Sequence, residues 1–167
     1  MEPKRGTIGR GARHTVGVIS DTHGLVRPEA LAALQGSELI VHAGDVGTPE
    51  VLEALRTVAP LVAVRGNNDR GSWAAALPER DAVEVGGCLL YVLHDIADLD
   101  LDPKVAGLQA VITGHSHRPA METRDGVLFL NPGSAGPRRF TLPIALARLE
   151  IGQGRVAARI IDLGGGG

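Results

Sequence analysis

Residues Val16 to Gly24 read V-G-V-I-S-D-T-H-G. A short apolar run with strand character is followed at once by a carboxylate and an imidazole two positions apart. This is the pattern of a buried strand whose C-terminal tip carries metal-type side chains. It recurs downstream. The strand-like run Glu38 to His42 leads into H-A-G-D (His42 to Asp45), and Leu61 to Arg65 leads into G-N-N-D (Gly66 to Asp69). Leu89 to Leu93 leads into His94, and Gln109 to Thr113 leads into G-H-S-H (Gly114 to His117). Between the first three runs lie two helical segments. Pro28 to Gln35 starts with Pro and is closed by Gly36; the other opens at Thr48-Pro49-Glu50 and runs to about Thr57. A strand–helix–strand–helix–strand rhythm implies parallel strands with right-handed crossovers. Sites in such sheets gather beyond the carboxyl ends of the strands, where these residues fall.

The second half changes character. Asp81 to Val85 and Leu89 to Leu93 flank Gly86-Gly87, and Met121 to Arg124 and Val127 to Leu130 flank Asp125-Gly126. Thr141 to Glu150 and Arg155 to Leu163 flank Gly152-Gln153-Gly154. Each is a hairpin signal. Pro103 to Gly107 has room for one helical turn. Burying all these apolar strands calls for an α/β (α+β) fold, with two mixed sheets packed face to face and helices outside.

At 167 residues the chain is expected to be one domain. The reading assigns residues 1–14 to a flexible leader, 15–163 to the domain and 164–167 to a disordered glycine tail. A net charge of −2 gives no general attraction to polyanions, and 2% aromatic residues provide no stacking platform for single-stranded nucleic acid. No stable nucleic-acid complex and no membrane association are expected. The apolar runs are far shorter than a membrane span. A single cysteine, Cys88, precludes an intramolecular disulfide and fits a cytoplasmic location. Monomer and small homo-oligomer both remain open.

The metal-type residues are Asp21, His23, Asp45, Asn67, His94, His115 and His117, and they include four of the six histidines. Their mixture of oxygen and imidazole donors suits Mn, Fe, Zn, Ni or Co better than Ca or Mg alone. A carboxylate has two oxygens, so one Asp can bridge two ions. Two divalent ions, set against Asp21, Asp45 and a bridging hydroxide, leave about one positive charge, which favours an anionic ester. Asp69 reads as an orienting residue rather than a ligand. His42 either supports the site from behind or is a buried structural histidine. Asn131-Pro132-Gly133-Ser134 reads as a structural turn, with phosphate contact as its other role. Arg65, Arg70, Arg138 and Arg139 are candidates to meet a phosphate, and Trp73 either lines the pocket mouth or covers the core edge.

Asp-x-His, Gly-Asp, Gly-Asn-x-Asp, a lone His and Gly-His-x-His, in that order, resemble the calcineurin-like metallophosphoesterases. The compact length and the Asn131–Ser134 run resemble the small bacterial and archaeal phosphodiesterase branch. The resemblance covers roughly residues 15 to 150. It implies a four-layer αββα sandwich with a dinuclear centre at one edge. Asp21, His23 and His117 would hold one ion, Asn67, His94 and His115 the other, and Asp45 would bridge. The ions would be two divalent transition metals per chain, manganese first. In catalysis a hydroxide bridging at Asp45 would attack phosphorus in line, with His94 in the site. Asn68 stands where many relatives carry a His that protonates the leaving oxygen, and Asn cannot act as that acid. Asp95 follows His94 where relatives commonly have Gly. It is expected to bind solvent, hold Arg118, or add negative charge near the metals.

The expected function is hydrolysis of small phosphodiesters by a metal-dependent phosphodiesterase. The alternatives are a metal-binding scaffold or protein-interaction module on the same fold, as in the eukaryotic retromer scaffold subunit, and a phosphomonoesterase.

Overall fold

The computed structural model describes residues 12–164. Ten strands and three short helices follow in order: β1 (His14–Ile19), α1 (Pro28–Leu34), β2 (Leu39–His42), α2 (Pro49–Arg56), β3 (Leu61–Ala63), α3 (Ser72–Ala75), β4 (Arg80–Val85), β5 (Cys88–Leu93), β6 (Ala110–Ile112), β7 (Ala120–Arg124), β8 (Val127–Asn131), β9 (Ala145–Gly152) and β10 (Arg155–Asp162), with a 3-10 turn at Ile96–Asp98. The strands form two five-stranded mixed sheets, ordered β10-β9-β1-β2-β3 and β4-β5-β6-β8-β7. β1, β2 and β3 pair in parallel, as the crossover rhythm requires.

Side-chain alternation builds the sandwich. Val16, Val18 and Val41 of the first sheet face Cys88, Leu90, Val92, Ala110 and Ile112 of the second across a dry core. Ile19 and Ile40 point the other way, onto α1 and α2 through Leu34, Val51, Leu52 and Leu55. The outer face of the second sheet buries Leu93 and Val111 with Leu108, and Leu99 and Leu101 pack against them. That fourth layer is the segment 95–108, which holds a 3-10 turn and one further turn closed by the Ala106 N–H on the Asp102 carbonyl. The fold is the expected αββα sandwich, with its second outer layer reduced to turns.

Several boundaries move for local reasons. β1 begins at His14, which donates from or accepts at Nδ1 2.9 Å from Glu38 Oε1, so the domain starts inside the expected leader. Residues 1–11 of that leader and 165–167 of the glycine tail lie outside the described residues. β3 stops at Ala63 because the Arg65 N–H turns away to the Pro78 carbonyl. β9 starts at Ala145 rather than Thr141, because the Leu142 N–H closes a turn on the Arg139 carbonyl and Pro143 has no N–H to give a ladder. Thr48 occupies the N-cap of α2 in extended conformation, but its side chain makes no capping bond.

Candidate metal centre

The tips of β1, β2, β3, β5 and β6 meet at one edge of the sandwich. The first sheet supplies Asp21, His23, Asp45 and Asn67 to Asp69, and the second supplies His94, His115 and His117. The loops are laced together. Asp21 N–H donates to the Gly44 carbonyl and His23 N–H to the Asp45 carbonyl, both at 3.0 Å. On the other sheet the Gly114 N–H donates to the His94 carbonyl at 2.9 Å. Five of the seven candidate ligands have left-handed backbone: Asp21 (φ 56°), His23 (48°), Asp45 (57°), His115 (72°) and His117 (64°). Only three other non-glycine residues among those described do so. Such residues curl back from a strand end instead of extending it, and their concentration here marks backbone strain at a site.

Two donor groups result. Ligand atoms of Asp21, His23 and His117 lie within 4.8 Å of one another, as do those of Asp21, Asp45 and His94. Asp21 Oδ1 is 3.5 Å from His117 Nε2 and 3.9 Å from both His23 Nε2 and His94 Nε2. Asp45 Oδ2 is 3.3 Å from His94 Nε2 and 3.7 Å from His23 Nε2, so this carboxylate faces imidazoles of both groups. The expected first-ion set is therefore assembled. In the expected second set, His94 is in place, and the other two members stand at the rim. His115, 45% exposed in its side chain, meets His94 edge-on with ring centroids 5.1 Å apart. Asn67 is exposed and lines a cavity of about 250 Å³ with Arg65, His94 and Asp95.

The hydrogen bonding leaves the inward atoms free for a cation. Asp21 Oδ2 accepts from Ser20 Oγ at 2.8 Å and from the His115 N–H at 3.0 Å, whereas Oδ1 is buried with no hydrogen-bond partner. His94 Nδ1 lies 2.7 Å from the Ala43 carbonyl and must carry the proton, which turns the Nε2 lone pair inward. That Nε2 is also buried without a partner. His23 Nε2 and His117 Nε2 approach to 3.4 Å with their rings stacked. Buried acceptors are normally paired, so a convergent set of unpaired ones fits a metal-ion site. The donors match a transition metal.

Electrostatics agree. Burial holds the Asp21 carboxyl above its ordinary pKa despite His94 and Ser20 nearby, and a cation would relieve that cost. For Asp45 burial also opposes ionisation, but the His94 imidazole 3.3 Å away and the hydrogen bonds from Asn68 overcome it and hold the carboxyl below the usual range. Burial lowers His117, while in His94 the nearby Asp45 and Asp21 carboxylates and the Ala43 carbonyl outweigh burial and raise it.

A supporting layer fixes these groups. Asp69 accepts from the N–H groups of Val46, Gly47 and Gly66 at 3.1, 2.9 and 2.9 Å, which is the orienting role expected of it. His42 is wholly buried, and burial lowers its pKa to about 3. Its Nδ1 accepts from the Gly44 N–H, so Nε2–H points at Thr22 Oγ1, which in turn donates to the Val46 carbonyl. Asn131 donates to the Gly114 carbonyl and Ser134 Oγ to the Asp21 carbonyl, so the Asn131–Ser134 turn braces both ligand loops. Asp95 caps the 3-10 turn through the Ala97 N–H and puts Oδ2 3.7 Å from His115 Nε2 rather than holding Arg118. Trp73 packs on the helix-side core. Sequence reading missed the bracing by Ser20 and Ser134, whose only signal was adjacency to Asp21 and to a turn. Gly66 and Gly114 permit the closest approaches: a Cβ on Gly66 would run into Asp45, and one on Gly114 into Ser20 and Asp21.

A cluster of carboxylates and imidazoles at the strand tips of a two-sheet α/β sandwich defines a metal-centre hydrolase class. Residues 15–154 match the calcineurin-like phosphoesterase superfamily domain. The chain belongs to that family, whose members use divalent metals. It is similar to a probable metallophosphoesterase of Methanothermobacter thermautotrophicus, 34% identical over 89% of this chain and 92% of the relative. A phosphodiesterase of Methanocaldococcus jannaschii is 28% identical over 71% of this chain and 82% of the relative. The fold superposes on Vacuolar Protein Sorting 29 of Cryptosporidium parvum with a TM-score of 0.79 at 20% identity, covering 93% and 94% of the two chains. Among the described residues no helix is long and apolar enough to cross a membrane.

Proposed function

We propose that this metallophosphoesterase hydrolyses small phosphodiesters at a centre of two divalent metal ions. Asp21, His23 and His117 would hold one ion and Asn67, His94 and His115 the other, with Asp45 between them and manganese the first choice of metal. The observation that carries the reading is the buried, unpaired Asp21 Oδ1, which is shared by both donor groups and lies 3.5 Å from His117 Nε2 and 3.9 Å from the equally unpaired His94 Nε2. Bound divalent ions would supply charge for the phosphoryl oxygens and an activated water for in-line displacement.

The chain's own residues set the rest. Asn68 and His94 keep Asp45 ionised. The Ala43 carbonyl keeps the His94 proton on Nδ1. Asn68 has no proton to give at neutral pH, so the leaving oxygen must depart largely unassisted. That favours diesters with stable leaving groups over alkyl monoesters, and it agrees with the name of the M. jannaschii relative. We place the enzyme in the cytoplasm, acting on small molecules and not on nucleic-acid polymers or membranes.

The test is turnover of bis-p-nitrophenyl phosphate with Mn, Fe, Zn, Ni or Co added in turn. Failure to exceed an Asp45→Ala control with every metal would sink the proposal. Stoichiometric metal binding without turnover would point instead to a scaffold.

A further inference from the structure

Residues 137–142 leave the Asn131–Ser134 turn and run beside the metal loops. Gly136 is seated so closely that a Cβ there would collide with the carbonyls of Asp21 and Thr22, and its own carbonyl accepts from Arg27 Nη2 at 3.2 Å. The Leu142 N–H then closes on the Arg139 carbonyl at 3.0 Å. At the tip, Phe140 is 87% exposed, more than any other large hydrophobic residue described, and its φ of 55° is left-handed. A bulky residue in that conformation is an outlier, and an exposed ring gains nothing from the core in return. Beside it, Arg139 lies within electrostatic range of His117 and so of the centre. Two other cations near the site are engaged: Arg65 pairs with Glu79 and Arg80 with Asp100, each at 3.0 Å.

We propose that the 137–142 loop is the arm that recognises the non-leaving group of the substrate, Arg139 meeting an ester oxygen and Phe140 stacking on a planar aromatic group. The substrate class is thus a phosphate ester carrying one aryl or nucleobase substituent. This rests on the phosphodiesterase reading of the centre and narrows it. One exposed ring serves one aromatic group, which agrees with a composition too poor in aromatics to track a polymer.

The test is calorimetric binding of AMP, phenyl phosphate and methyl phosphate to the Mn²⁺-loaded protein, for the natural chain and for Phe140→Ala, Phe140→Trp and Arg139→Gln. A stacked base or ring predicts that the aromatic ligands bind about tenfold tighter than methyl phosphate. Phe140→Ala should bring that ratio close to one, Phe140→Trp should keep it, and Arg139→Gln should weaken all three ligands together. A larger gain for AMP assigns the arm to a nucleobase, and equal gains assign it to any aromatic ester. An AMP-to-methyl ratio near one in the natural chain, or a ratio that Phe140→Ala leaves intact, overturns the proposal. Turnover of bis-p-nitrophenyl phosphate is measured alongside. Hydrolysis with an unaffected ratio removes the arm alone; a Phe140-dependent ratio without hydrolysis removes the hydrolytic reading alone.

Discussion

Asn68 grips Asp45 twice. Its backbone N–H donates to Oδ1 at 2.9 Å and its side-chain Nδ2 to Oδ2 at 3.1 Å. A position that in many relatives provides an acid is here spent on orienting the carboxylate between the two donor groups. Asn68→Ala removes one of these bonds and leaves the other. Loss of such an orienting partner typically costs roughly 10–100-fold in metal affinity or activity. Metal titration by calorimetry should show that weakening, and unchanged affinity would mean Asp45 is positioned by its loop alone.

Without a proton donor at Asn68, the rate should depend steeply on the leaving group. Diesters of 4-nitrophenol should be cleaved much faster than those of phenol, and alkyl monoesters slowest. Asn68→His should flatten the series by speeding the poor leaving groups most. A flat series in the natural chain would show that another group supplies the proton.

Metal binding should be visible in stability. A ligand held only by the folded state adds about 2.7 kcal/mol at one hundred times its Kd. For a chain of this size that raises Tm by roughly 5–10 °C. Thermal melts with excess Mn²⁺ and with chelator should differ by that order, and Asp21→Asn should nearly abolish the difference. Equal shifts in the variant would place the ion elsewhere.

His42 should make the fold sensitive to mild acid. Its folded pKa is about 3 against an ordinary 6.5. Above the ordinary value both states are neutral and the residue contributes nothing to pH dependence. Below it the unfolded chain takes a proton that the folded chain refuses, so stability falls by up to about 1.4 kcal/mol per pH unit until the folded pKa is reached. Urea denaturation in chelator at pH 7.0 and 5.5 should cost the natural chain about 1 kcal/mol more than His42→Asn. Parallel losses would mean that His42 titrates alike in both states.

Gly66→Ala isolates a steric cost, because the Gly66 backbone is not left-handed and the atoms nearest its added methyl are the Asp45 backbone and carboxylate. Destabilisation of roughly 1–3 kcal/mol is expected, with metal affinity lost beyond it. Normal affinity in a folded variant would show that Asp45 can give way.

Most of the strand tips were readable because an apolar run followed within a few residues by Asp or His is a local signal, and β1, β2, β5 and β6 carry it. The partner of each strand was not. β9 and β10 have an obvious hairpin turn, but nothing near Gly152 says that they return to β1 after the chain has built the other sheet. α3 was missed because four residues behind Gly71, with no side-chain cap, have no periodicity to detect. The left-handed backbone at five ligands was equally hidden, since it comes from the lacing between loops far apart in sequence. Asp95 could be singled out by type, but its approach to His115 emerges only once β5 and β6 lie side by side.

Because Asp21, His23 and Asp45 hang from one sheet and His94 and His117 from the other, an ion seated among them would be a rivet through both halves of the sandwich. A chain caught half-assembled, with either sheet splayed or unformed, would lack a complete chelate and so would be inert. Chemistry would switch on only at the last act of folding, and stripping the ion would loosen the seam before it loosened either sheet.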